Sequence, residues 1–300
     1  MRSLVTGGAG FIGSHLVEAL LARGDQVTVL DDLSSGSMEN LPAGITLVRA
    51  DVADPRTIDL IAAQRPSLVF HLAAQVSVVQ SVADPDHDRA VNVVGTRHVL
   101  EGAAEGAARR IVVVSSGGAI YGEARLATEE SPAAPESPYG AHKLAAERDV
   151  ALSSLSYGIA RLANVYGPRQ RRDLEGGVVA IFVERLLARQ PITIYGSGEQ
   201  RRDFVHVADV VAALLAIADS DRDGTWNVAT GTETSVNRLL EALQHELGPA
   251  VAVKRAPARA GEVFASSLSF ARIAEDLGWR PGLDLAAGLR ATIAWRPDGA

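Results

Sequence analysis

Along the first half of the chain, short apolar runs alternate with stretches whose apolar positions recur every three or four residues. The runs predict strands at 2–6, 26–30, 45–49, 67–71 and 111–115, and the periodic stretches predict helices at 12–22, about 56–64, 86–106 and 139–155. This alternation is the signature of an α/β fold, a doubly wound parallel sheet with helices on both faces. Such sheets bind ligands beyond the carboxyl ends of their strands. Thr6, Asp31, Asp51, His71 and Ser115 all fall at such ends. The second half alternates less regularly. It predicts a strand over 157–162, an amphipathic helix over 177–187, an edge strand over 192–196, helices over 208–219 and 234–247, a strand over 226–229 and a last helix from about 284 to 295. Neither an internal repeat nor a low-complexity linker divides the chain, so two lobes are expected to interleave.

Composition narrows the picture. The 300 residues, 47% of them hydrophobic, suffice for one large or two modest domains with a core. A formal charge of −7 argues against a nucleic-acid partner. With no cysteine, disulfides and thiolate metal sites are out of reach, and no metal is expected. The N-terminus enters a strand almost at once and no apolar run reaches membrane-spanning length. The expectation is a cytoplasmic protein with no membrane partner.

The first strand runs directly into Gly7-Gly8-Ala9-Gly10-Phe11-Ile12-Gly13 and then a helix. Gly7 allows a tight turn, Gly10 lets the backbone approach a pyrophosphate, and Gly13 lets the helix pack close to the strand. The helix start, with Phe11 and Ile12, then offers unpaired N–H groups to phosphate. The second strand ends in Asp31, followed by Asp32. A carboxylate there accepts hydrogen bonds from ribose hydroxyls and repels a 2′-phosphate, and no arginine follows over 32–36. The cofactor is therefore expected to be NAD rather than NADP. The competing reading is that Asp31 or Asp32 caps the next turn. Asp51-Val52 can reach the adenine edge, or Asp51 can simply form a turn before Ala53-Asp54-Pro55. The small residues of Leu72-Ala73-Ala74 would let the backbone lie against the cofactor, while His71 reads as a packed histidine. Asn92, an amide in an apolar helix, needs buried partners, and orienting the loop behind the site is its expected role.

Chemistry concentrates between residues 111 and 143. The buried strand Ile111-Val112-Val113-Val114 ends in Ser115-Ser116. After a polar, proline-rich loop over 123–138, a helix opens at Pro138-Tyr139-Gly140-Ala141-His142-Lys143. Tyr139 and Lys143, four apart, share a helical face. The lysine ammonium is expected to favour the tyrosine phenolate. A phenolate beside a nicotinamide can take the proton of a carbinol as hydride leaves.

These segments, with His71-Leu72-Ala73-Ala74, Asn92, Arg161-Leu162-Ala163-Asn164-Val165-Tyr166-Gly167-Pro168 and Arg202-Asp203-Phe204-Val205-His206, resemble the extended short-chain dehydrogenase/reductase family, in its nucleotide-sugar epimerase branch. The resemblance covers nearly the whole chain. It implies a Rossmann domain over 1–166 with 205–232, and a smaller α/β substrate-binding domain over 167–204 with 233–300. It implies NAD-dependent epimerisation of a nucleotide sugar at C4, of the UDP-hexose type, through a 4-keto intermediate, in a homodimer. Tyr139 and Lys143 would be catalytic, with Ser116 as the hydroxyl partner and Ser115 as the alternative. Asn164, Gly177, Val178, Arg202 and Arg259 would border the diphosphate, Thr193 and Tyr195 the uridine, and Ser266 the sugar C2 substituent.

Related 4,6-dehydratases carry an Asp-Glu pair where this chain has Gly118-Ala119. Without those carboxylates, loss of water or carbon dioxide lacks its proton-transfer group, leaving oxidation and re-reduction of one carbon. A dehydratase or reductase with another acid, and a non-catalytic NAD-binding regulator, remain the alternatives. An intact Tyr139–Lys143 pair speaks against the latter.

Overall fold

Seven parallel strands form the main sheet of the computed structural model, which describes residues 1–171, 177–248, 251–258 and 263–295. In chain order its elements begin β1 (Arg2–Thr6), α1 (Phe11–Ala22), β2 (Gln26–Asp31), β3 (Thr46–Arg49), α2 (Thr57–Gln64) and β4 (Leu68–His71). There follow α3 (Val78–Ala83), α4 (Pro85–Arg89), a π-helical turn (Ala90–Val94), α5 (Gly95–Glu105), β5 (Arg110–Ser116), α6 (Gly117–Tyr121), β6 (Ala124–Ala127), α7 (Pro138–Leu152), β7 (Ser156–Leu162) and β8 (Asn164–Tyr166). The remainder is α8 (Val178–Leu187), β9 (Ile192–Tyr195), β10 (Arg201–His206), α9 (Val207–Asp219), β11 (Gly224–Val228), β12 (Glu233–Ser235), α10 (Val236–Leu247), β13 (Val253–Ala256), β14 (Ala265–Leu268), α11 (Ala271–Leu277) and α12 (Leu285–Ala294). Among the described residues no helix is long and apolar enough to cross a membrane.

The main sheet has the order β11-β7-β5-β4-β1-β2-β3. The order reverses between β1 and β4, which opens a crevice at their carboxyl ends. Both faces are covered, which is why these strands read as unbroken apolar runs. Successive residues of β5 serve opposite faces. Val112 joins Leu16 and Leu20 of α1, Leu214 and Ile217 of α9, and Trp226. Ile111 and Val113 join Ile61 of α2, Val99 and Leu100 of α5, and Val150 of α7. Each such side chain contributes ~1.5–3 kcal/mol by leaving water.

A second, five-stranded sheet runs β12-β10-β14-β6, with β8 added on β10. Its strands are drawn from residues 124–127, 164–166, 201–206, 233–235 and 265–268. A separate apolar cluster there joins Phe182 and Leu186 of α8, Phe204, Leu239 and Leu243 of α10, and Leu289 of α12.

Two expectations are corrected. The single helix over 86–106 is broken into α4, the π turn and α5, because the wider turn points the buried Asn92 inward. The loop over 123–138 contains β6, which pairs with β14. The segment after Ser116 is a helix, α6, whose start is hidden in the sequence by Gly117-Gly118. Val165-Tyr166 lies in β8 and pairs with β10.

His71 ends β4 fully enclosed, its Nδ1 2.7 Å from Thr6 Oγ1 and its Nε2 3.0 Å from Thr96 Oγ1. The Thr96 hydroxyl donates to the Asn92 carbonyl, so it accepts from Nε2–H, and Nδ1 accepts from Thr6. Both ring nitrogens are thus satisfied in the neutral form. Burial, aided by the Lys143 charge, lowers the His71 pKa to about 3 from 6.5. The unfolded chain therefore binds a proton that the folded chain refuses between those values. Stability from this group is complete above pH 6.5 and is lost on acidification toward pH 3, by up to about 1.4 kcal/mol per pH unit. Urea unfolding across this range should show the decline, and His71→Gln should flatten it. An unchanged slope in the variant would remove His71 from the acid response.

Candidate active site

The turn between β1 and α1 is built by backbone contact. Gly7 has φ +70°, and a Cβ on it would lie 2.6 Å from the Ala73 backbone nitrogen. A Cβ on Gly13 would lie 2.1 Å from the Gly7 carbonyl oxygen. Only glycine permits either approach. Gly10 is the N-cap of α1 with no side-chain cap, so the first N–H groups of the helix stay available to an anion. Phe11 opens α1 and lies edge-on to His15, while Ile12 packs against the core.

Asp31 is buried at the end of β2. Its Oδ2 accepts from the Ala9 N–H at 2.9 Å and its Oδ1 from the Leu33 N–H at 2.9 Å. It therefore ties down the glycine turn and keeps one lone pair on each oxygen for a further donor. Burial raises its pKa against those two hydrogen bonds. Asp32 accepts from both the amide and the hydroxyl of Ser34, which is the turn-capping role. Asp51 likewise accepts from the Ala53 N–H at 2.8 Å. The side chain of Val52 is core, and its carbonyl accepts from His98. Asp32 and Asp51 line an open groove of about 660 Å³ with Arg49, Asp54, Arg56 and Asp59. Arg56 is paired to Asp54, so the groove is acidic on balance. The glycine cradle, the half-used Asp31 carboxylate and this groove fit an adenosine with free ribose hydroxyls.

At the carboxyl end of β5 the chemistry converges. Ser137 caps α7 by accepting from the Gly140 N–H, and Pro138 occupies its first turn. Tyr139 and Lys143 are buried, 9% and 5% exposed. The Ser116 hydroxyl, which caps α6 by accepting from the Ala119 N–H, lies near enough to the Tyr139 phenol to lower its pKa. The Ser115 hydroxyl is buried with no partner among the described residues. Contrary to the expectation from spacing, Lys143 does not lower the Tyr139 pKa here. Its Nζ donates to the Val114 carbonyl at 2.7 Å instead. Burial pushes Tyr139 up to about 12, against the lowering influence of the nearby Ser116 hydroxyl. Burial also lowers Lys143 to about 8, opposed by the charges of Glu147 and Asp88.

Leu72, Ala73 and Ala74 leave β4 half-buried beside the glycine turn. Asn92 Nδ2 donates to the Gln75 carbonyl at 2.9 Å and to Asp88 at 3.0 Å. In the second sheet, Arg202 of β10 stands in register with Ser266 of β14, and Asn164 of β8 with Phe204. Ser266 Oγ lies 3.3 Å from where a Cβ on Gly118 would sit, so it borders the segment just after Ser116. Arg202 Nη1 donates to the Arg201 carbonyl. Gly177 caps α8 and Val178 begins it. Thr193 and Tyr195 are exposed on β9, which pairs only with β13 among the described strands. Arg259 lies outside the described residues.

Several residues at the site escaped the sequence reading. Arg161 of β7 holds Glu147 of α7 through three bonds of 2.6–3.1 Å and also reaches Tyr121. Asp88, wholly buried, gathers Gln75, Asn92 and His142. The available signals were spacings of four on a helix, Asp88 to Asn92 and Lys143 to Glu147.

Purified protein should gain thermal stability with NAD, by about 2.7 kcal/mol at a hundredfold excess over Kd. It should gain little with NADP, whose extra phosphate meets Asp31 and an acidic groove. Equal gains would contradict the ribose-hydroxyl role of Asp31.

Known proteins extend this geometry. The NAD dependent epimerase/dehydratase family model matches residues 3–229. The chain is 44% identical over 305 residues to a UDP-glucose 4-epimerase of Mycolicibacterium smegmatis, covering 98% of this chain and 97% of that one. Two solved structures superpose with TM-scores of 0.93. One is a Thermus thermophilus UDP-glucose 4-epimerase in complex with NAD, 42% identical with 98% of each chain covered. The other is a Thermotoga maritima UDP-glucose 4-epimerase with UDP-glucose, 40% identical, covering 98% of this chain and 97% of that one. With its glycine cradle, its Tyr139–Lys143 helix and these likenesses, the chain belongs to the NAD dependent epimerase/dehydratase family.

Proposed function

We propose that this chain is an isomerase that inverts C4 of a UDP-hexose, interconverting UDP-glucose and UDP-galactose with NAD as its bound cofactor. One observation carries the reading. The Tyr139 phenol meets the Ser116 hydroxyl at the end of β5, and the following Gly118-Ala119 offers neither acid nor base. Residues 1–166 with 205–232 form the proposed cofactor domain, and 167–204 with 233–300 the substrate domain. The proposed setting is the cytoplasm and the proposed assembly a homodimer.

Gly7, Gly10, Gly13 and the start of α1 would hold the pyrophosphate, Asp31 the ribose, and Leu72-Ala73-Ala74 the nicotinamide end. When bound, NAD supplies the hydride acceptor, returns the same hydride, and brings a positive charge beside the phenol. As the phenolate, its own proton released to solvent beforehand, Tyr139 Oη would take the C4 hydroxyl proton, relayed or polarised by Ser116 Oγ. Tyr139 then gives the proton back, so one phenol serves both directions. Lys143 would stay seated on the Val114 carbonyl, on the helical face that it shares with Tyr139. Asn164, Gly177, Val178, Thr193, Tyr195, Arg202 and Arg259 would anchor the nucleotide while the 4-keto sugar turns. Arginine suits the diphosphate because its planar fork donates two parallel bonds.

Incubation with UDP-glucose should yield UDP-galactose, read by proton NMR, with no net NADH. A product lighter by one water would overturn the reading. Tyr139→Phe should keep NAD and cut turnover ~10²–10⁴-fold. Near-normal turnover would remove Tyr139 from the mechanism. Of Ser116→Ala and Ser115→Ala, the first should lose more.

Ser266 generates a specificity test. Its small side chain should leave room for an N-acetyl group at C2, so UDP-N-acetylhexosamines should be turned over as well. A bulky side chain there should reject them by ~1–3 kcal/mol of overpacking. Comparing kcat/KM for UDP-galactose and UDP-N-acetylgalactosamine on wild type and Ser266→Tyr decides it. If the variant does not selectively lose the N-acetyl substrate, Ser266 is not the gate.

A further inference from the structure

Asp88 is a wholly buried carboxylate that the proposed mechanism does not use. A carboxylate removed from water is costly unless its lone pairs are engaged. Its Oδ1 accepts from Gln75 Nε2 at 2.6 Å and from Asn92 Nδ2 at 3.0 Å. Its Oδ2 lies 2.6 Å from His142 Nδ1. These three donors come from three separate segments. Gln75 belongs to the loop that leaves β4, Asn92 to the π turn, and His142 to α7. Glu147 differs, because its charge is matched by the guanidinium of Arg161. The ion-pair partner of Asp88 among the described residues is an imidazole.

The position of each donor matters. Gln75 follows Leu72-Ala73-Ala74, whose backbone is pressed against Gly7. Its amide also closes the loop on itself, donating to the Ser77 carbonyl and accepting from the Ser77 N–H. His142 immediately precedes Lys143 and follows Tyr139 by three residues, so it fixes how α7 is rotated about its axis. The charge of Asp88 also acts on both catalytic side chains, favouring the Lys143 ammonium.

We propose that Asp88 is a positioning residue for the reaction: through His142 on one side and Gln75 and Asn92 on the other, it holds the Tyr139–Lys143 helix in register with the loop that faces the cofactor. This rests on the proposed epimerase reading. A reacting pair displaced by about 1 Å can lose ~10²-fold in rate without losing affinity, so the signature of Asp88 is in kcat.

The test uses NAD-loaded protein and the UDP-glucose to UDP-galactose assay. Asp88→Ala should lower kcat at least about tenfold, with KM within about twofold and bound NAD per chain unchanged. Asp88→Asn should restore kcat to within about threefold of wild type, because its amide oxygen still accepts from Gln75 and Asn92 and its NH₂ can donate to neutral His142. A purely structural role would lower the melting temperature and leave kcat per NAD-loaded site alone. A kcat within about twofold for Asp88→Ala, a parallel loss of NAD, or no recovery in Asp88→Asn overturns the proposal. If Asp88→Ala does not fold, His142→Ala makes the same test from a partly exposed position. It should lose kcat at least about threefold at constant KM, and unchanged kcat overturns the proposal. Inactive wild type would instead sink the epimerase reading, so the two failures are distinguishable.

Discussion

The site depends on holding one polar helix against the middle of an apolar sheet. Helix α7 carries Tyr139, Lys143 and Glu147 on buried positions, and none of these contributes much apolar contact. Beyond Val150 in the sheet core, its attachment is polar. The Glu147–Arg161 pair fastens it to β7, and the Asp88–His142 contact fastens it to α4. Removing one partner of such a buried pair leaves an uncompensated charge, typically at ~3–5 kcal/mol. The helix is therefore held in one rotation and one depth, which apolar packing alone specifies less sharply.

The electrostatic consequence runs through Lys143. An ammonium this deep is pushed toward its neutral form, and its pKa is lowered to about 8. It stays near its charged range because two carboxylates lie close and because Nζ rests on a backbone carbonyl. The phenol above it is shifted the other way, to about 12. At neutral pH both groups of the pair thus hold their protons. The lysine charge is spent on the Val114 carbonyl and does not offset the burial that raises the phenol.

The main sheet was legible because each of its strands is a local apolar run and each glycine of the first turn has a local cause. The carboxylate at Asp31 was legible for the same reason, sitting at the end of such a run. The second sheet was not. Strand β6 is Ala-Arg-Leu-Ala, which has no apolar signature, and it exists only because β14, about 140 residues later, offers it an edge. The π turn hid inside a convincing helical period, since one widened turn leaves the pattern on either side intact. The Tyr139–Lys143 spacing was readable, but its electrostatics were not. Which group Nζ reaches depends on the carbonyl of Val114, and backbone carbonyls carry no sequence label. The Arg161–Glu147 pair forms only where β7 and α7 pack together, so neither stretch of sequence announces it.

The make-up of the second sheet limits how this protein can change. Its five strands enter from five separated places in the chain, and β10 joins β8 over one half and β12 and β14 over the other. No single crossover between genes could exchange that sheet for another. New substrate preferences must therefore arise residue by residue, at positions such as Ser266, inside a framework inherited whole.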